Sequence, residues 1–193
     1  ERERERERER VRERGGEGEG EGEGQGETGA PERIRIRIQL RMLVYLGIML
    51  YGASPMEGKT GAELGLCPAM TLQAPLITTR VVRAGESIGY GASWTASQDT
   101  RMGMVAIGYA DGYPRHAGTG TPAAVRGQRI RLLGRVSMDM LAVDLSAVPE
   151  ARGGDLVELW GKTVSVDEVA GYAGTIGYEL LTGVTSRVPR VHE

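Results

Sequence analysis

Residues 123–133 read Ala-Ala-Val-Arg-Gly-Gln-Arg-Ile-Arg-Leu-Leu, a short β-rich run broken at Arg126-Gly127 by turn chemistry. The same pattern recurs along the chain. Leu72 to Val82, Met102 to Ile107, Leu141 to Leu145 and Leu156 to Trp160 are further short β-rich runs, separated by turns at Ala84-Gly85, Asp111-Gly112 and Gly153-Gly154-Asp155. Regular short strands between turns favour a barrel or sandwich. The fold class expected is therefore mainly β, a small β-barrel-like domain with one or two short helices. Ser165-Val-Asp-Glu168 has the form of a capping box, so one helix starts there and ends near Gly171 or Gly174, and a second covers Ile176 to Thr182.

Upstream the composition changes. Residues 1–29 are ERERERERER, VRERGG and EGEGEGEGQGETG, with almost no apolar side chain to offset the entropy of ordering the chain. In a helix, the Glu-Arg alternation would set like charges at i,i+4 against opposite charges at i,i+3, so the pairings partly cancel. Residues 1–33 are accordingly read as a disordered, charged, Gly-rich arm, and residues 34–193 as the globular β domain. Ile34, Ile36 and Ile38 alternate with polar residues, and Leu40 to Tyr51 is nearly continuous apolar sequence; both read as strand.

The chain has 24 basic and 26 acidic residues and a net charge of −2, which gives no bias toward nucleic acid or a membrane surface. It has no apolar run long enough to cross a bilayer. Cys67 is the single cysteine, so no intrachain disulfide forms, and no secretion signal is recognised at the amino terminus; the expected compartment is cytoplasmic. With His116, His192 and Cys67 far apart there is no metal-ligand spacing, and no metal is expected. Cys67 is read as a buried or inert thiol, Trp94 and Trp160 as packing residues, and the methionines as core filler.

Tyr109 follows an apolar strand and precedes Asp111-Gly112, which places it at a strand end where its phenol can face a cleft. A phenol with its ordinary pKa near 10 needs a charged or hydrogen-bonding neighbour to take a proton from carbon at neutral pH. Ala53 to Thr60 also satisfies a permissive phosphate-loop pattern, with Met140 to Asp144 as a candidate acidic strand. Against a nucleotide-binding function, Pro55 lacks an N–H, Glu57 repels phosphate, and Gly61, Gly65 and Pro68 stand where that loop requires a helix.

Four segments, in order, resemble the second domain of alanine racemases. They are Gly47-Ile-Met-Leu-Tyr-Gly-Ala-Ser-Pro55, Ala106-Ile-Gly-Tyr-Ala-Asp-Gly-Tyr-Pro-Arg115, Gly134-Arg-Val-Ser-Met-Asp139, and Ile176-Gly-Tyr-Glu-Leu-Leu181 with Arg187-Val-Pro-Arg190. The resemblance runs from about Val44 to Arg190. It implies an isomerase that interconverts L-alanine and D-alanine on pyridoxal 5'-phosphate by two-base proton transfer at Cα, supplying D-alanine to cell-wall peptidoglycan. It implies that Tyr109 is the catalytic base for L-alanine and that the Met138 N–H binds the substrate carboxylate; Arg135 and Asp139 are read from their charges as supporting residues, either an ion pair organising that loop and the active-site entrance or ordinary surface charges. Gly47 and Ile48 would bind the cofactor phosphate through backbone amides. The sequence departs from the family where Tyr45 replaces an arginine that bonds the pyridine nitrogen and Ser186 replaces a tyrosine near the phosphate.

The family's amino-terminal barrel and its Schiff-base lysine have no counterpart upstream of Val44, and neither Lys59 nor Lys162 sits in a similar context. The partner implied is therefore a second copy, as a homodimer, or a lysine-bearing racemase barrel domain. The alternative functional class is a non-catalytic β association module derived from the racemase.

Overall fold

A computed structural model describes residues 45–89 and 91–192. The expectations for the charged arm and for a strand at Ile34 to Ile38 fall outside these residues. Eight strands are described: β1 (Leu72–Val82), β2 (Ser87–Ile88), β3 (Trp94–Thr95), β4 (Thr100–Val105), β5 (Pro122–Val125), β6 (Gln128–Leu133), β7 (Leu141–Asp144) and β8 (Leu156–Trp160). Two helices follow, α1 (Val166–Ala173) and α2 (Gly177–Gly183). Six strands form a closed antiparallel barrel in the order β1-β4-β7-β6-β5-β8, and β2 and β3 make a separate two-stranded hairpin.

From Leu72 onward the expected strands and helices stand within a few residues of their predicted places. β5 and β6 are joined through Arg126 at φ 53° and Gly127 at φ 76°, both left-handed as a two-residue hairpin turn requires. In β1 the first half alternates, burying Leu72, Ala74 and Leu76; past a pairing irregularity between Leu76 and Thr78 the strand is largely exposed until Val82, which is buried in a second, smaller cluster. Ser165 caps α1 by accepting from the Asp167 N–H, and Gly174 ends it at φ 68°. The box does not close as predicted: Glu168 pairs with Arg129 on the barrel instead.

Residues 45–50 are helical, not strand. A short apolar run fits either element, and burial decides it: only Ile48 is buried and Met49 half-buried, while Tyr45, Leu46, Leu50 and Tyr51 face outward. The helix stops at Gly52, φ 79°, where a Cβ would lie 2.3 Å from the Cys67 carbonyl oxygen. Cys67 is exposed rather than buried. Of the methionines among the described residues only Met102 is buried, and Met56, Met138 and Met140 are exposed, so core filling is not their common role.

Tyr113 and Trp160 stack in the core with centroids 5.9 Å apart and planes 15° from parallel. Burial pushes the Tyr113 phenol well above its ordinary pKa, so it stays protonated. Trp160 is fully buried in β8, the strand that bonds both β1 and β5. Trp160→Ala is expected to cost about 3–5 kcal/mol of folding stability, measured by urea denaturation followed by far-UV circular dichroism.

Candidate functional site

Past the end of β4 the chain turns sharply. Tyr109–Asp111 form a single 3-10 turn that ends at Gly112, φ 98°. Asp111 locks it, accepting from the Gly108 N–H at 3.0 Å through its side chain. The turn rests against the loop that joins β6 to β7: the Tyr109 N–H donates to the Ser137 carbonyl at 3.1 Å and the Ala110 N–H to the Met138 carbonyl at 2.9 Å. Gly108 makes this approach feasible, since a Cβ there would lie 2.4 Å from both the Ser137 and the Met138 carbonyl oxygens.

The two loops enclose a cleft of about 390 Å³ lined by Tyr109, Arg115, Arg135, Met138 and Asp139 among others. Four of the predicted site residues thus meet at one place. Tyr109 is 40% exposed and Met138 54% exposed, so ring and loop are both accessible from the cleft. The Arg115 guanidinium carbon stands 6.0 Å from the centre of the Tyr109 ring. Among the described residues the Met138 N–H meets no acceptor, whereas Ser137 is held through both its N–H and its hydroxyl by the Met140 carbonyl, at 3.0 and 2.6 Å. The loop therefore has a fixed base and an available peptide donor.

Arg135 and Asp139 do not form the predicted ion pair. The Asp139 carboxylate pairs with Arg187 at 2.7 Å, which also approaches Asp111 at 3.3 Å, and these two carboxylates raise the pKa of the guanidinium further. Arg135 lies on the cleft with its N–H bonded to the Ser93 hydroxyl at 3.1 Å. Arg187 stands 48 residues from Asp139, and no short-range spacing links the two; the only signal was its place in the last of the four sequence segments.

Gly47 and Ile48 do not join this cleft. Ile48 belongs to the hydrophobic core, and Gly47 is exposed with nothing within 4 Å of an added Cβ. Lys59 and Lys162 line two other pockets. The phosphate-loop pattern at Ala53 to Thr60 is also not built as one: the Asp167 carboxylate accepts the Ser54 and Gly61 N–H groups at 2.9 and 2.8 Å, and only a three-residue 3-10 turn follows. An incoming phosphate would find those donors already engaged by a negative charge. Asp144, the candidate acidic residue of β7, is held by Arg131 and by the Ser146 N–H. Burial would raise its pKa, but these hydrogen bonds prevail and hold it below the ordinary carboxylate value.

Known proteins resemble this chain closely. The family described as alanine racemase, C-terminal domain, matches residues 69–192. An alanine racemase of Marinobacter nauticus is 97% identical over 147 residues, covering 76% of this chain and 41% of that protein. The crystal structure of the biosynthetic alanine racemase from Pseudomonas aeruginosa aligns with a TM-score of 0.74 at 62% identity, over 76% of this chain and 41% of that one. An alanine racemase from Bartonella henselae, crystallised with covalently bound pyridoxal phosphate, aligns with a TM-score of 0.66 at 29% identity over 75% of this chain and 40% of that one. The chain thus spans about two fifths of the length of these relatives.

The close approach at Gly108 makes a direct prediction. Gly108→Ala must push the two loops apart or distort them, at a cost of about 1–3 kcal/mol. Thermal denaturation would show the loss, and the amide NMR signals of Ser137 and Met138 would move while those of β5 and β6 stay in place.

Proposed function

We propose that this chain, which belongs to the alanine racemase C-terminal domain family, provides the Tyr109 face of a site that interconverts L-alanine and D-alanine by moving a proton at Cα. The observation that carries this reading is the convergence on one cleft of an accessible phenol and an available peptide N–H, with two guanidinium groups beside them. The substrate carboxylate takes the Met138 N–H, a charge-assisted hydrogen bond that any residue type can donate because the peptide group makes it. With the carboxylate fixed, Tyr109 Oη as the phenolate accepts the Cα proton of L-alanine, and as the phenol so formed returns a proton to the same face. Arg135 and Asp139 support the mouth of the cleft, Arg135 by adding positive charge and Asp139 by anchoring its loop to Arg187.

Pyridoxal phosphate supplies the electron sink that makes such a Cα–H removable. This chain's cleft does not fit the cofactor by itself. Its aldehyde needs an amine, and the chain's two lysines, Lys59 and Lys162, both line other pockets. Gly47 remains a candidate for backbone contact with the phosphate, because the open space on its Cβ side leaves the main chain approachable; Ile48 N–H is the neighbouring candidate. The amine and the second face of Cα belong to a lysine-bearing racemase barrel domain, in a homodimer of racemase subunits. D-alanine for peptidoglycan is the product served, and the cytoplasm is the compartment.

The absence of a lysine from the cleft favours a second reading, a non-catalytic β association module, and one assay separates the two. The chain is incubated with pyridoxal phosphate and L-alanine, alone and with a lysine-bearing racemase barrel domain, and D-alanine is followed. Turnover is expected only in the mixture, and Tyr109→Phe should lower it by about 10²- to 10⁴-fold. No turnover in either arm would favour the association module; turnover by the chain alone would overturn the account of the missing amine.

A further inference from the structure

We infer that Arg187 is a positioning residue for both halves of the Tyr109 cleft: its one guanidinium group ties the carboxylate beneath the Tyr109 turn to the carboxylate that follows Met138. The inference rests on the functional reading above for its consequence, but on geometry for its substance. Arg187 Nε lies 3.3 Å from Asp111 Oδ1, and Arg187 Nη2 lies 2.7 Å from Asp139 Oδ1. The same Asp111 side chain accepts the Gly108 N–H through its other oxygen. From Arg187 the connection therefore reaches the residue before Tyr109 on one side and the residue after Met138 on the other.

Three stretches remote in sequence meet here, and the carboxy-terminal one is anchored independently of its charge. The Thr185 N–H donates to the Asp111 carbonyl at 3.1 Å and the Thr185 hydroxyl to the Ala110 carbonyl, also at 3.1 Å. Gly112 closes in on the same stretch, where a Cβ would lie 2.1 Å from the Gly183 carbonyl oxygen. Arg187 is thus delivered by a segment already bonded to the Tyr109 turn, and its reach to Asp139 spans from that turn to the Met138 loop. The Asp111 side chain is largely buried at 13% exposure and the Asp139 side chain half-exposed at 55%. The arm to Asp139 is the shorter, hydrogen-bonded one, and the arm to Asp111 is longer but less screened by solvent.

A planar fork suits this task where a lysine would not. Two carboxylates on different loops fix both the distance and the direction of the guanidinium, and an ammonium is a single point charge without that geometry. On the functional reading, the quantity set by Arg187 is the separation between the Tyr109 phenol and the Met138 N–H. Proton transfer and carboxylate binding both depend on that separation.

The test uses amide hydrogen exchange in the full chain, read by NMR, on Arg187→Ala, Arg187→Lys and Asp139→Asn. Arg187→Ala should reduce protection of the Tyr109 and Ala110 amides, which bond across to the Met138 loop, by about three- to tenfold. The barrel amides of Leu132 and Leu145, bonded to Thr121 and Arg101, should change less than about twofold. Asp139→Asn removes the charge from the exposed arm alone, leaving an amide oxygen that can still accept, and should give the smaller local loss, so the question stays answerable if Arg187→Ala does not fold. Arg187→Lys should recover part of the protection. Unchanged Tyr109 and Ala110 protection in both Arg187→Ala and Asp139→Asn would overturn the inference, as would an equal loss at every amide. In the mixture with a lysine-bearing barrel domain, Arg187→Ala should lower kcat and raise KM for alanine together, whereas loss of folded protein lowers kcat alone. If wild-type chain gives no turnover there, the functional reading fails while the exchange result still decides the role of Arg187.

Discussion

Strand β1 hydrogen-bonds β8 along Leu72–Pro75 and β4 along Leu76–Val82, so the closed sheet depends on one strand changing neighbours part-way along its length. The exchange happens at the irregularity between Leu76 and Thr78, where the turn before β8 is also bonded: the Gly154 N–H donates to the Leu76 carbonyl at 2.8 Å and the Leu76 N–H to the Asp155 carbonyl at 2.9 Å. Backbone groups that a strand would otherwise leave unpaired at such a step are thereby satisfied. This single strand buries Leu72, Ala74 and Leu76 in the main core and, six residues on, Val82 in the smaller cluster with Met102 and Leu133. It also fixes the register of β4, whose pairing with β1 ends at Val105. Tyr109 follows four residues later, at the barrel rim rather than in its wall.

At the rim, precision comes from backbone contacts more than from side chains. Two peptide hydrogen bonds join the Tyr109 turn to the Met138 loop, and the closeness of Gly108 to both carbonyls leaves no room for adjustment. Charge enters as an outer tie, with Arg187 spanning Asp111 and Asp139. Exposed ion pairs contribute little to stability individually. Their use here is directional: the peptide bonds fix where the loops touch, and the guanidinium constrains how they are oriented.

The barrel was legible because its strands are short β-rich runs and the turns between them carry glycine at positions of positive φ, as at Gly127 and Gly154. The hairpin β2–β3 escaped, since two-residue strands have no periodicity to read. The stretch 45–50 was misread because Leu46 to Leu50 is apolar throughout, and only the packing of Ile48 against the core, with Leu50 left in solvent, separates a helix from a strand. Tyr109, Met138, Arg135 and Asp139 were recognisable from local motifs, and the fold brings them to one cleft. Their partners were not recognisable. The pairing of Asp139 with Arg187 rather than Arg135 is set by where the segment after α2 returns to the rim, a consequence of topology that local spacing does not encode.

Exposure of the cleft bears on how much of the chemistry one such domain can perform. Tyr109, Met138 and Met140 all line it, and each is at least 40% exposed, so apolar surface and the proposed base share one solvent-facing patch. Water there weakens every electrostatic contact between the cleft and a bound carboxylate, and it competes with the substrate for the Met138 N–H. A surface that covers the patch would exclude that water and would bury apolar area in doing so. On the proposed reading this covering surface also carries the amine that the cleft lacks. Dehydration of the site and completion of its chemistry are then a single event, and the wet phenol of the uncovered domain is the expected state of half a site.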